Sequence, residues 1–167
     1  AARLNLGAGS TRTGMLTQGP LREYTAQVDL SSTAGSDTGA VYAGVVARNT
    51  GSGSYLVHAW LRPNGTVWLV AQRGTTVLQT STLSGLTYSA GDTFTLKVEV
   101  TGTDATQLKA KLWKSGATEP SAWQLTAQDA DPGLQAAGAL GLRASRTSSS
   151  TAPTGIAFDN FVVSKIG

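Results

Sequence analysis

Hydrophobic and polar positions alternate with a period of two along most of this chain. It reads AVYAGVVARN from Ala40 to Asn49, SYLVHAWLR from Ser54 to Arg62 and GTVWLVAQR from Gly65 to Arg73. Successive side chains of a strand point to opposite faces. If Tyr55, Val57, Ala59 and Leu61 enter a core, Leu56, His58, Trp60 and Arg62 face the other way. If Val67, Leu69 and Ala71 point inward, Trp68, Val70 and Gln72 share that other face. Arg48, two residues beyond Val46, is expected on the alternate face of its own strand, and Arg143 in GLRA is expected to join it.

Further alternating runs follow the same rule. Leu21–Leu30 places Tyr24, Ala26, Val28 and Leu30 on one face, and Thr93–Val100 does the same with Phe94, Leu96, Val98 and Val100. Strands are also predicted over Thr75–Leu83, Gln107–Lys114, Trp123–Ala127, the glycine-lightened Ala137–Ala144 and Gly155–Ser164. The chain opens directly in strand-like sequence, as expected of a mature form or of a module cut from a longer secreted protein. Small-residue loops and Asn64-Gly65 punctuate the runs, and Asn-Gly is a strong hairpin signal. Helical periodicity is confined to a short turn near Pro132–Gln135. Ten or more short strands with glycine-rich turns predict an all-β, two-sheet antiparallel sandwich. No linker or internal repeat divides it, so residues 1–167 are expected to form one domain.

Composition narrows the function. Of the 167 residues 40% are hydrophobic and only 14% are charged, well below the usual quarter. Hydroxyls and amides thus replace ion pairs on much of the surface, a profile suited to a secreted module that meets neutral polymers. The net charge of +3 is spread thinly; only Lys109, Lys111 and Lys114 approach a cluster. Nucleic-acid binding calls for a dense basic stripe, and none is present. With no cysteine, disulfides and thiolate metal sites are ruled out. No apolar run reaches the ~20 residues of a membrane helix.

Several segments, in this order, resemble the concanavalin A-like, laminin-G-like jelly rolls found beside catalytic domains in bacterial carbohydrate-active enzymes. They are YAGVVARN (Tyr42–Asn49), the hairpin SYLVHAWLRPNGTVWL, the run LKVEVTG, KLWKSGATEPSAW (Lys111–Trp123), AGALGLRAS and IAFDNFVVS. The resemblance implies a jelly roll of one concave and one convex sheet, with the concave face a frequent ligand site. It leaves open whether the domain binds, cleaves or adheres, because this fold serves all three.

The candidate binding set is Arg48, His58, Trp60, Arg62, Trp68, Gln72 and Arg143. Indoles offer flat area to the C–H faces of sugars, and arginine and glutamine offer forked donors to hydroxyls or carboxylates. The competing reading is that Trp60 and Trp68 pack beneath a loop, with Arg48 and His58 merely hydrogen-bonded. Trp113 and Trp123 are expected to form a structural clasp. A glycosidase needs two carboxylates across a cleft, and no pair here has suggestive spacing. A lyase using His58 with Tyr42 or Tyr55 is chemically feasible, although Tyr55 falls on the opposite face. Asp159, with Asp37 or loop carbonyls, is similar to positions that hold a structural calcium ion in related jelly rolls; the alternative is that Asp159 caps a turn or bulge. The expected function is noncatalytic: a monomeric, extracellular module that binds a polysaccharide or oligosaccharide for a tethered enzyme, with no required cofactor and no nucleic-acid or membrane partner. The rivals are a small lyase or hydrolase on the same fold and a laminin-G-like adhesion module.

Overall fold

The computed structural model describes residues 2–33, 39–149 and 153–167. The strands are β1 (Ala2–Leu6), β2 (Thr11–Met15), β3 (Tyr24–Ser32), β4 (Val41–Thr50), β5 (Gly53–Leu61) and β6 (Thr66–Arg73). They continue with β7 (Thr76–Thr87), β8 (Thr93–Thr101), β9 (Thr106–Lys114), β10 (Leu125–Asp129), β11 (Ala139–Arg146) and β12 (Thr154–Lys165). A 3-10 turn at Pro132–Leu134 follows β10, where Asp131 accepts a hydrogen bond from the Gly133 amide. Two antiparallel sheets result, ordered β1-β12-β3-β8-β9-β10 and β2-β11-β4-β5-β6-β7. This is the two-sheet antiparallel sandwich that the alternation implies, and the jelly roll that the resemblance implies. The opening residues supply one edge strand to each sheet, β1 against β12 and β2 against β11.

The core lies between the sheets and is filled by one parity of each strand. Tyr24, Ala26, Val28 and Leu30 of β3 and Phe94, Leu96, Val98 and Val100 of β8 are buried from the first sheet. From the second come Val41, Ala43 and Val45 of β4, Tyr55, Val57, Ala59 and Leu61 of β5, and Val67, Leu69 and Ala71 of β6. Each large side chain buried in this way contributes about 1.5–3 kcal/mol. The β5–β6 hairpin closes as Asn64-Gly65 predicts: the Gly65 amide donates to the Arg62 carbonyl at 3.0 Å, and Asn64 Oδ1 accepts from the Thr66 amide at 3.1 Å.

Several boundaries shift from expectation: β3 starts at Tyr24 rather than Leu21, and β11 spans Ala139–Arg146 rather than Ala137–Ala144. β7 runs on to Thr87. β10 starts at Leu125 rather than Trp123, because the Leu112 amide of β9 donates to the Gln124 side chain at 2.7 Å. A side chain thus takes the place of the next backbone rung.

The segment 115–124 crosses the outer face of the first sheet. Glu119 there pairs with Lys97 at 3.0 Å and Lys111 at 3.2 Å, and Trp123 lies with its ring 4.7 Å from the Lys111 ammonium. Trp113 on β9 is buried. The clasp expected of Trp113 and Trp123 is not formed between the two rings: among the described residues Trp123 has lysine against its ring instead.

Candidate functional site

Strand register assembles the outer face of the second sheet from three cross-strand rows. Ser145, Tyr42, Trp60 and Trp68 form the first, Arg143, Gly44, His58 and Val70 the second, and Gly141, Val46, Leu56 and Gln72 the third. His58, Trp60, Trp68, Gln72 and Arg143 therefore meet on one face, and Arg62 joins them from the end of β5. Tyr42 completes the group. Its position in AVYAGVVA carried the signal, since the same alternation that buries Val41 and Ala43 sends Tyr42 out.

The aromatic groups pack on one another. Trp60 and Trp68 lie near-parallel, 12° between planes and 6.1 Å between centroids, while Tyr42 meets Trp60 edge-on at 5.0 Å. The Arg62 guanidinium sits 4.5 Å from the centre of the Trp68 ring. His58 differs from expectation: it is only 6% exposed, and Val70 beside it is fully buried. Trp60 Nε1 donates to His58 Nε2 at 2.9 Å. Burial, with the Arg143 charge adding to it and the Gln72 hydrogen bond opposing it, pushes the imidazole down to about 4. The ring is neutral at physiological pH, with Nε2 occupied. Gly44 opposite it makes this fit possible, since a Cβ there would lie 2.5 Å from the His58 Cβ. The groups left half-buried, and so within reach of a ligand, are Tyr42, Trp60, Arg62, Trp68, Gln72 and Arg143.

Two adjoining basins open on this face and share Tyr42 and Trp60 as their common wall. One, of about 270 Å³, includes His58, Gln72 and Arg143 with the hydroxyls of Thr11 and Ser145. The other, of about 210 Å³, is formed with Arg62, Pro63, Thr147 and Ser149. Neither basin contains an aspartate or glutamate among the described residues. Burial holds the Tyr42 hydroxyl above its ordinary pKa, with the nearby Arg62 charge working against it.

Arg48 does not belong to this face. A bulge falls between Ala47 and Thr50, and Arg48 takes φ +46°, which reverses the parity of the strand at this point. Its fully buried guanidinium turns to the end of the core instead. There Nε donates to the Arg22 carbonyl at 3.0 Å, Nη2 to the Gly102 carbonyl at 2.6 Å, and Nη1 to Thr106 Oγ1. Gly138 packs directly on the bulge, where a Cβ would come within 2.5 Å of the Arg48 carbonyl carbon. The network continues from Thr106 to Gln135, then Tyr55, Asp129 and Arg73. Tyr55 is thus tied to Asp129 at 2.8 Å inside the sandwich, on the opposite side of β5 from His58.

Asp159 lies on the other sheet, in a bulge of β12. Its Oδ1 accepts from the Asn160 amide at 2.9 Å, an interaction that holds its carboxyl below the usual carboxylate range. Asp29, opposite it on β3, accepts from Thr95 at 2.6 Å and from the Asn160 amide group at 2.7 Å. Calcium takes six to eight oxygens, and no group of three or more metal-ligating side chains occurs among the described residues. Asp37 lies outside the described residues. Among the described residues, Asp159 caps the bulge through the Asn160 backbone amide.

No protein-family model and no curated protein matches this sequence. Solved structures match it in fold. The carbohydrate-binding module CBM66 from Bacillus subtilis aligns with 94% of this chain and 83% of its own at 14% identity, TM-score 0.61. The alginate lyase Aly36B aligns with 98% of this chain and 80% of its own at 13% identity, TM-score 0.63. A xylan β-1,4-xylosidase from Bacillus halodurans C-125 matches 98% of this chain at 13% identity, TM-score 0.60, over only 32% of its own length. The chain therefore has the concanavalin A-like jelly-roll fold, found in both binding and catalytic carbohydrate-related proteins.

Proposed function

We propose that this domain is a noncatalytic carbohydrate-binding module and that the outer face of its second sheet holds the glycan. The observation that carries the reading is the pair of basins walled by Tyr42 and Trp60 and bordered by arginine, glutamine and hydroxyl groups. Aromatic edges and faces suit sugar C–H surfaces, and the polar rim suits hydroxyls. Hydrolysis needs two carboxylates flanking the bond, and neither basin has one among the described residues. Proton abstraction by His58 would first require breaking its bond from Trp60, and its low basicity makes it a weak base at neutral pH. The partial span of the xylosidase match is in keeping with a module that is tethered in a longer extracellular enzyme and raises the local substrate concentration. Among the described residues, no helix is long and apolar enough to cross a membrane.

The test is a glycan array probed with wild type, Trp60→Ala and Trp68→Ala, each with and without a calcium chelator. Binding that falls at least ~10-fold in variants of unchanged circular dichroism supports the face as the site. Capture of no glycan favours the adhesion reading, and release of shortened or unsaturated products favours a lyase or hydrolase. Loss on chelation would add a structural ion to the site.

A further inference from the structure

We infer that the glycan held here is anionic, with a carboxylate or sulfate of the polymer meeting an unneutralised arginine in each basin. This rests on the carbohydrate-binding reading above and specifies its ligand.

The argument begins with where the charges are matched. Lys97 and Lys111 pair with Glu119, Lys109 with Glu99 and Lys114 with Asp92, all on the first sheet and its loops. Arg73 pairs with Asp129 at the end of the sandwich. Arg62 and Arg143 have no carboxylate partner among the described residues. They are also the charged groups of the two basins, Arg143 in one and Arg62 in the other. His58 and Tyr42 between them are neutral, so among the described residues nothing in the basins offsets the two cations.

Both guanidinium groups are held in place while part of each stays open. Arg143 donates Nε to Thr13 Oγ1 at 3.0 Å, which fixes the plane and leaves its two terminal nitrogens for an external acceptor. Arg62 is held by the Trp68 ring. A guanidinium fixed by stacking or by one hydrogen bond presents a forked donor pair suited to carboxylate and sulfate oxygens. A neutral sugar seated in these basins would remove water from two cations and supply no charge in return, which is unfavourable. An anionic sugar supplies it. The shared Tyr42–Trp60 wall sets the two arginines in neighbouring compartments, an arrangement suited to a chain of charged units better than to a single sugar.

The experiment measures affinity for polygalacturonate, its carboxyl-reduced neutral product, dextran sulfate and dextran, at low and high sodium chloride. Wild type is expected to hold at least one charged polymer roughly 10-fold or more tighter than its neutral counterpart at low salt, with the advantage shrinking as salt rises. Preference for polygalacturonate assigns carboxylates, and preference for dextran sulfate assigns sulfates. Arg62→Gln and Arg143→Gln should each reduce the preference by roughly 10-fold or more, and Arg143→Lys should restore part of it. The salt dependence of wild type tests the idea even if a variant misfolds. Equal, salt-insensitive affinity for charged and neutral polymers, abolished by Trp60→Ala, would overturn this inference and leave the binding module intact. Anion preference that survives the double arginine variant overturns it too. Capture of no polymer by wild type removes both readings.

Discussion

The two outer faces of this sandwich use similar residues to opposite ends. On the first sheet, Lys97, Lys109, Lys111 and Lys114 are matched to carboxylates within the chain, and Trp123 has Lys111 over its ring. On the second, tyrosine, histidine and two tryptophans pack together, and the two arginines beside them have no acidic partner among the described residues. The lysine cluster of the first face has its charges met internally. The second face leaves two arginines open, and an open set of oriented donors is what a ligand can complete. Arginine alone shows the same division: Arg48 is enclosed by acceptors in the core, whereas Arg143 keeps its fork directed outward.

That division is tested most severely by removing each arginine in turn. Arg48→Met strips donors from the carbonyls of Arg22 and Gly102 and from Thr106, all at the buried end of the core. We expect a loss of about 3–5 kcal/mol in urea unfolding. Arg143→Met should lose less than about 1 kcal/mol, since the side chain is half-buried and gives one bond to an edge-strand threonine. Equal losses would abolish the distinction between an enclosed and an open arginine.

His58 gives the next largest effect, through pH. Folding lowers its pKa from 6.5 to about 4. Between those values the unfolded chain binds more protons, so stability falls as pH falls through this window and is fully present above 6.5. The total is roughly 3 kcal/mol. A pH series of denaturation midpoints should show the decline in wild type and a much flatter profile in His58→Gln. A wild-type profile that stays flat from pH 6.5 to 4 would mean that the imidazole is not enclosed as described.

The sequence made part of this legible, and the physics explains which part. Alternation in SYLVHAWLR and GTVWLVAQR fixed which side chains share a face, because parity within a regular strand is a property of the backbone. It brought His58, Trp60, Trp68 and Gln72 together correctly, and Arg143 with them. Parity does not survive a bulge, so Arg48 was placed on the wrong side. The signals available were the turn-forming Asn49-Thr50-Gly51 and the glycine at 138 that makes room for the bulge. Nor does parity report burial. His58 faces outward by register, yet Trp60 on its own strand donates to it and its cross-strand neighbours Gly44 and Val70, which no local pattern brings to it, close around it. The two strands before Met15 pair with β12 and β11 from the distant C-terminal part of the chain, so their sheet assignments were also beyond local pattern.

The smallest effect belongs to the face that is already matched. Glu119 joins Lys97 and Lys111, and hydrogen bonding from Lys97 leads the interactions that hold its carboxyl below the usual range. Its side chain is 37% exposed, so water and salt screen the attraction and ordering the long lysines offsets more of it. Glu119→Gln should therefore change stability by less than about 1 kcal/mol, and added salt should shrink even that. Affinity for a charged polymer is the more revealing readout. The substitution releases two lysines on the first sheet, which raises the net positive charge there without touching Tyr42, Trp60 or either basin. If charge alone governed binding, Glu119→Gln would strengthen it much as the loss of Arg62 or Arg143 weakens it. If orientation governs it, flexible lysines on the opposite sheet add little, and affinity measured beside Arg143→Gln should stay within about twofold of wild type. A gain comparable to the arginine losses would reduce the contrast between the two faces to net charge.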